Sequence, residues 1–269
     1  MSRRQVKRVV AGAAVIVLMA AVGISVGLLG GRARPVTSTC TVSSGSQAAP
    51  FTLTPDQAQN AVIIAAVGLH RGMPDHAVTV ALAAALQESH LLNLSFGDRD
   101  SLGLFQQRPS EGWGTPAQIL DPAYAAAAFY DHLVQVPGWV SMSVTEAAQL
   151  VQGSADPGAY AQWGSEARAL AVAATGEQAA ALTCELGGFG GAAPGPGALA
   201  AAAATEIGPG ALANPSSTKA GWQAATWAVA HAYNYHLTSV SYDGRQWTWG
   251  STSTTWSPAP VTTSVATTT

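Results

Sequence analysis

The residue best suited to chemistry is Glu88, which lies at the end of the alanine-rich segment 81–89. On a helix, Ala81, Ala84 and Ala85 would share its face. A helix C-terminus disfavours negative charge, and small apolar neighbours disfavour an ionised carboxyl group. Glu88 is therefore expected to hold a proton that it can donate as a general acid. The alternative is a solvated glutamate at a helix end.

Helix start signals place Glu88 at the end of the second of about six helices. Thr54-Pro55-Asp56-Gln57 is a capping box and predicts a helix to about His70. Pro74 and Asp75 predict the second helix, ending between Glu88 and His90. Further signals predict a short turn at Thr115-Pro116-Ala117-Gln118 and helices from Asp121-Pro122 to about Gln135, from Ser143 to about Gln152 and from Asp156-Pro157 to about Thr175. No convincing strand pattern is found, so the segment 51–184 is predicted to be all-α.

The long segment between Ser89 and Pro116 has no helix signal, which is typical of a functional loop. It contains Gly97-Asp98-Arg99-Asp100-Ser101-Leu102-Gly103-Leu104-Phe105-Gln106-Gln107-Arg108-Pro109. Together with Glu88-Ser89, this motif resembles the lysozyme-like superfamily, in particular soluble lytic transglycosylases and goose-type lysozymes. The blocks LQES, GDRDSLGLFQQRPS, GWGT, AFYDHL and AAQLVQGSADPGAYAQW resemble an exported subgroup from high-GC Gram-positive bacteria.

The resemblance implies an all-helical catalytic domain with a cleft for the glycan strands of peptidoglycan. Glu88 matches the acid/base that cleaves between N-acetylmuramic acid and N-acetylglucosamine. Ser101 and Gln106 match cleft positions of the motif, and Gln107, Trp113 and Gln152 are further expected substrate contacts. Trp113 has a second interpretation as a core residue.

The chain departs from the family at one place. The family has a Tyr-Asn pair followed by Gly on a later helix, and the matching positions here are Val151, Gln152 and Ser154. Gln152 replaces only the amide, so the cleft is predicted to lack the tyrosine hydroxyl.

Asp98 and Asp100 are the candidates for a second carboxylate, although structural bonds to the loop and to Arg99 or Arg108 are favoured for them. A lytic transglycosylase needs no second carboxylate, because the substrate's 6-hydroxyl attacks and gives an anhydro product. The alternatives are a muramidase that uses water and a non-catalytic wall-binding or scaffold protein.

The charge distribution predicts an exported, anchored protein. Six of the twelve basic residues precede residue 36, and residues 36–269 carry a net charge of −9, which disfavours nucleic acid as a partner. Val9–Gly30 is an uncharged run long enough to span a bilayer, and the basic residues before it predict a cytoplasmic N-terminus. Residues 1–34 are thus expected to form a single-pass anchor in the cell membrane with the body outside, joined by a linker over 35–50. Secretion after signal cleavage is the alternative.

Two cysteines, Cys40 and Cys184, bracket the predicted domain, and an even pair in an exported chain predicts a disulfide. The alternative is two buried thiols. The six histidines show no metal-ligand spacing, so neither a metal nor a cofactor is expected. Peptidoglycan and the membrane are the expected partners, and the sequence identifies no protein partner.

The C-terminal part is predicted to be a small αββ module beyond a flexible linker. Residues 185–217 are rich in Gly, Ala and Pro. Within the module, 218–250, a helix from Lys219 to His236 precedes a hairpin turning at Asp243-Gly244. Trp222 and Trp247 are interpreted as core residues, since so small a unit needs large side chains. The Thr/Ser-rich tail, 251–269, is expected to be disordered.

Overall fold

The computed structural model describes residues 37–43, 49–154, 156, 158–253 and 255–269. The predicted anchor, Val9–Gly30, lies outside them, and within them no helix is both long and apolar enough to cross a bilayer. This part of the chain contains eight α-helices: α1 (Pro55–His70), α2 (Asp75–Ser89), α3 (Pro116–Ile119), α4 (Pro122–Leu133), α5 (Val144–Gln152), α6 (Gly164–Ala174), α7 (Ala198–Glu206) and α8 (Thr218–Tyr235). It also contains seven short strands: β1 (Thr39–Val42), β2 (Phe51–Leu53), β3 (Leu182–Glu185), β4 (Ser239–Tyr242), β5 (Arg245–Thr248), β6 (Ser257–Pro258) and β7 (Ala266–Thr268).

Helix α2 is the centre of the helical part and packs against α1, α4, α5 and α6. The run from Ala77 to Leu86 is buried throughout. A helix that is apolar on all sides is stable only when other helices surround it. Its five alanines between Ala77 and Ala85 allow these neighbours to approach closely, and the last turn of this enclosed helix carries Glu88.

The predicted helix starts are confirmed where capping residues define them. Thr54, Thr115 and Ser143 each form a capping box with the glutamine or glutamate three residues later. Asp121 accepts hydrogen bonds from the backbone N–H groups of Ala123 and Tyr124 at the start of α4. Each cap satisfies N–H groups that have no partner inside the helix, so these starts depend on local sequence alone.

The predicted start of the last helix is wrong. The side chain of Asp156 accepts a hydrogen bond from the backbone N–H of Gly158, which closes a local turn. A 3₁₀ turn, Ala161–Trp163, follows, and α6 begins only at Gly164. The segment before α6 therefore lies across the end of α2, where it buries Tyr160 completely.

The domain is mainly helical, but the prediction of an all-α segment from 51 to 184 is wrong. Strands β2, β1 and β3 form an antiparallel sheet in that order, and Cys40 lies directly opposite Cys184. The predicted disulfide between these cysteines is confirmed. Strands of three or four residues are too short to show an alternating pattern of polar and apolar residues. In addition, β3 pairs with β1 over a long distance in sequence, since the paired residues Cys40 and Cys184 are 144 positions apart.

The predicted C-terminal helix and hairpin are confirmed as α8 and as β4 paired with β5. Asp243 and Gly244 both have positive φ, of 46° and 76°, as the mirror-image hairpin turn requires. The expectation of a disordered tail is wrong, because β6 and β7 complete a four-stranded sheet in the order β6-β5-β4-β7.

This C-terminal sheet and α8 pack against the rest of the described chain. Helix α8 contacts α1 and β3. The indole N–H groups of Trp247 and Trp256 donate to the backbone oxygens of Cys184 and Leu182, at 2.8 Å in each case. Trp222 and Trp247 are buried, as predicted for core residues. The tail becomes ordered because Trp256 brings apolar surface to a core that the sheet alone does not complete.

Candidate active site

Glu88 lies in the last turn of α2 with its side chain partly exposed, and the apolar residues Ala81, Ala84 and Ala85 are completely buried. The hydroxyl group of Tyr160 donates a hydrogen bond of 2.7 Å to Glu88 Oε1. Glu88 Oε2 accepts no hydrogen bond from the described residues. One carboxyl oxygen is thus held by a protein donor, and the other is available to a ligand.

Tyr160 is a permanent donor in this arrangement. Burial and the hydrogen bond to Glu88 raise the pKa of Tyr160 far above its ordinary value. The phenol therefore stays protonated at any pH at which the protein would work. Because its ring is fully buried, the hydroxyl group has a fixed position and orients the carboxyl group of Glu88.

The end of α2 is formed by two consecutive residues in the left-handed region. His90 and Leu91 have φ of 54° and 62°, which costs each of them about 1–2 kcal/mol. Side chains of α1 stabilise this turn: Gln57 donates to the backbone oxygen of His90 and Asn60 to that of Leu91, both at 2.8 Å. The turn ends the helix directly after Glu88 and sends the chain into the loop.

Ser89 connects the helix end to the 101–107 segment of the loop. Its buried hydroxyl group donates to the backbone oxygen of Leu104 at 2.7 Å. Leu102 and Gln107 form a pair of backbone hydrogen bonds of 2.9 and 3.0 Å that closes a tight turn. Gly103 in this turn has φ of 75°, and a Cβ atom there would lie 2.6 Å from the backbone oxygen of Ile119. The Glu-Ser pair and the 101–107 segment are thus brought together.

Of the predicted substrate-binding glutamines, Gln152 and Gln106 contact the backbone of this turn, and Gln107 connects it to α4. Gln152 donates to the backbone oxygen of Phe105 at 2.9 Å, and Gln107 to that of Ala125 at 3.0 Å. Gln106 donates to the backbone oxygen of Gly103 at 3.2 Å. Ser101 is buried. These contacts give the residues a role in shaping the loop, and substrate binding by them stays a prediction.

Trp113, the remaining predicted substrate contact, lies farther along the same loop. Its ring stacks on that of His132 in α4, with the ring centroids 3.8 Å apart. It is partly buried and packs against the core. This stacking gives Trp113 a structural role, and a contact with substrate stays a prediction.

The two candidates for a second carboxylate have different environments. Asp100 accepts hydrogen bonds from Arg108 Nε at 3.0 Å and from the backbone N–H of Ser110 at 2.8 Å. These bonds, above all that from the Ser110 backbone, lower the pKa of Asp100 to about 2. Asp98 is almost fully exposed, 3.8 Å from Arg99. Asp100 therefore holds the loop together, while Asp98 faces solvent.

Position 151, where a tyrosine hydroxyl was predicted to be missing, is a valine in α5. A different residue, Tyr160, donates a hydroxyl hydrogen bond to Glu88 from the segment before α6. The sequence contained a signal, because Tyr160 belongs to the block AAQLVQGSADPGAYAQW. The sequence did not single out Tyr160, because a helix was predicted to begin at Asp156, and Tyr160 would then have been one residue among others in its first turns.

A cavity of about 540 Å³ lies elsewhere in the fold and does not include Glu88. Residues of α1, the segment 92–94 and the start of α4 line it, together with Glu206. We regard the Glu88 region as the better candidate site, because a buried hydroxyl group is fixed on one oxygen of its partly exposed carboxyl group. Among the described residues, no cluster of three or more His, Cys, Asp or Glu side chains has a geometry that could hold a metal ion.

Comparisons with known proteins assign no family to this arrangement of residues. No protein-family model matches the chain, and no curated protein matches it either.

Proposed function

We propose that the protein cleaves the glycan strands of peptidoglycan between N-acetylmuramic acid and N-acetylglucosamine, with Glu88 as acid and base, as a lysozyme-like lytic transglycosylase does. One observation carries the proposal. Glu88 is a partly exposed carboxyl group with a buried tyrosine hydroxyl fixed on one of its oxygens at 2.7 Å. A structural glutamate at a helix end would need no such partner.

The chemistry needs two proton transfers at Glu88, one from its carboxyl group and one back to it from a different donor. Glu88 Oε2 donates it to the glycosidic oxygen while the bond from that oxygen to the sugar C1 breaks, leaving positive charge on the ring. The Glu88 carboxylate then accepts the proton of the 6-hydroxyl group as that oxygen bonds to C1. Tyr160 donates to Oε1 throughout and stabilises the carboxylate stage, since hydrogen bonds to charged groups are the stronger ones.

The environment of Asp100 supports a mechanism with one carboxylate. Both of its oxygens accept hydrogen bonds from Arg108 or Ser110, so it is a poor candidate to activate water. Asp98 is exposed beside Arg99 rather than enclosed with Glu88. Closure by the substrate's own hydroxyl group requires neither residue, and we therefore favour an anhydro product over hydrolysis.

We also propose that the body acts outside the cytoplasm, anchored by Val9–Gly30. The disulfide between Cys40 and Cys184 supports export, because such bonds persist in oxidising compartments. Peptidoglycan is found only on that side of the membrane, so the proposed location and substrate agree.

The test is digestion of purified cell wall by the exported body with and without Glu88→Gln. The amide cannot donate a proton to the glycosidic oxygen, so cleavage should fall by about 100-fold or more, while binding to wall is kept. Glu185→Gln is the matched control, since that carboxyl group lies in β3 of the sheet. Retained cleavage in Glu88→Gln would refute the assignment.

The products distinguish the proposal from its alternatives. Anhydro ends in the mass spectrum of the released fragments are expected, and reducing ends would instead identify a muramidase that uses water. A parent protein that binds wall but cleaves no preparation would be a scaffold.

A further inference from the structure

The cavity of about 540 Å³ that does not include Glu88 is lined by carboxyl groups from three helices. Asp56 lies in the first turn of α1, Asp121 directly precedes α4, and Glu206 ends α7. None of the described residues that line the cavity is a lysine, an arginine or a histidine. Its lining therefore attracts positive charge.

The cavity is elongated and partly apolar. Asp56, Asn60 and Ile63 line it from one face of α1, since they are three or four positions apart. From Asp56 to Ile63 the helix rises by about 10 Å. The apolar part of the lining consists of Ile63, Leu92, Leu94, Pro122 and Ala123. A ligand that fills this space must combine length with apolar surface.

Asn60 supplies a buried acceptor to the same cavity. Only 8% of this residue is exposed. Its Nδ2 donates to the backbone oxygen of Leu91 at 2.8 Å, which fixes the orientation of the amide. Its Oδ1 accepts no hydrogen bond from the described residues, although buried polar atoms normally have a partner. Because Asn60 lines the cavity, this oxygen is an acceptor that a ligand there can use.

Helix stability does not explain Glu206. A helix C-terminus disfavours negative charge, yet Glu206 is held there by two side chains of α8. Its Oε2 accepts a hydrogen bond from Trp227 Nε1 at 2.8 Å and lies 3.3 Å from Nε2 of the buried His231. Burial raises the pKa of Glu206, but these two contacts outweigh it and lower the pKa below its ordinary value. The group is thus a carboxylate at neutral pH, and its Oε1 has no donor in the described part of the chain.

Negative charge exceeds positive charge at the cavity. Helices α1 and α4 both begin there, and Asp121 Oδ1 caps α4 by accepting from the backbone N–H groups of Ala123 and Tyr124. Each helix N-terminus carries about +0.5 charge, so the three carboxylates leave about −2, or about −1 when His231 is protonated. The two helix starts therefore account for only part of the acidic lining.

The three carboxylates are not arranged around one point. No group of three or more His, Cys, Asp or Glu side chains in the described ranges has a geometry that could hold a metal ion. A single small ion therefore cannot contact all three. A ligand with several positive groups along a chain can contact them one at a time.

We propose that this cavity binds a linear oligoamine, a chain of methylene groups that carries two or more protonated amines. The ammonium groups donate charge-assisted hydrogen bonds to Asp56, Asp121 and Glu206, and one of them also donates to Asn60 Oδ1. The methylene groups pack on the apolar lining, as the stems of lysine side chains do on protein surfaces. The inference is independent of the proposed function, because the cavity does not include Glu88.

The test is calorimetric titration of the full chain, kept in a neutral detergent, with spermidine at about 0.15 M salt, which screens weak surface attraction. We expect a dissociation constant below about 1 mM. Butylamine, which has one ammonium group, should bind at least about tenfold more weakly. Mg²⁺ should displace spermidine poorly, because it cannot contact the separate carboxylates together. Absence of spermidine binding, or equally effective displacement by Mg²⁺, would overturn the inference.

Single removals of charge locate the bound probe. Asp56→Asn and Asp121→Asn should each weaken spermidine binding by about fivefold or more. Asparagine caps a helix as well as aspartate does, so α4 should still begin at the same residue. Asp56 has no side-chain hydrogen bond to a described residue, so its variant remains informative if Asp121→Asn lowers stability.

Asp98→Asn is the matched control. It makes the same change in net charge at a side chain that is 93% exposed, and it should leave the affinity unchanged. Thermal melts of each variant verify that the chain is folded. Equal loss of affinity in Asp98→Asn and in Asp56→Asn, or parental affinity in both cavity variants, would place the probe outside the cavity and refute the site.

Discussion

Removal of the Tyr160 hydroxyl group is the most informative perturbation of the site. Tyr160→Phe keeps the fully buried ring and deletes only the donor that contacts Glu88 Oε1 at 2.7 Å. A hydrogen bond to a charged group contributes about 1.5–3 kcal/mol. Glu88 is partly exposed, so water can replace part of the lost bond, and the lower end of that range applies. We therefore expect kcat to fall by about tenfold.

The rate per folded molecule distinguishes this role from a purely structural one. The Tyr160 hydroxyl group fixes the carboxyl group of Glu88, so its loss should lower kcat itself. The assay is turbidity loss of purified wall, combined with the rate of fragment release per amount of folded protein. A residue that only stabilises the fold would lower the amount of folded protein without changing kcat.

Tyr130→Phe is the matched control. Tyr130 is also fully buried, and its hydroxyl group donates to the backbone oxygen of Ile64 at 3.0 Å, away from Glu88. Both variants should lose a similar amount of stability, about 1 kcal/mol, but only Tyr160→Phe should lower kcat. A parental kcat in Tyr160→Phe, or the same fall in Tyr130→Phe, would refute the positioning role.

Two further predictions concern stability. Replacing Cys40 and Cys184 with serine should lower the free energy of unfolding by up to about 5 kcal/mol, because the bond closes a loop with a sequence separation of 144; urea denaturation measures this, and an unchanged midpoint would contradict it. The Asp100 carboxylate, with its pKa lowered to about 2, should contribute stability that is present above about pH 4 and lost as the pH falls towards 2. Thermal melts between pH 5 and 2 should be less pH-dependent in Asp100→Asn, and an equal dependence in both proteins would exclude this contribution.

Local signals predicted the helices well. Thr54, Thr115, Ser143 and Asp121 cap the helices that they announce, because a capping bond joins residues two or three positions apart. Asp156 looked like the same signal, yet its side chain closes a turn with Gly158 instead. The two outcomes use the same kind of bond, and the packing of the following residues against α2 decides between them.

The pairing of strands and the ordering of the tail were not predictable from local patterns. β1 and β3 are short strands that pair with each other, although β1 precedes helices α1 to α6 in the sequence and β3 follows them. The tail contributes Trp256, whose indole N–H reaches the backbone of Leu182. Such contacts are non-local and cannot be seen in the composition of the tail, which is rich in Thr and Ser and therefore suggested disorder.

The sequence by itself determined the helical character, the cysteine pair and the position of Glu88 at a helix end next to a loop with a recognisable motif. Each of these depends on residue types at short spacing or on the compartment in which cysteines pair. Only the tertiary structure placed Tyr160 on Glu88, a contact that joins residues 72 positions apart. A hydrogen bond over that separation has no local pattern, since it exists only after the helices have packed.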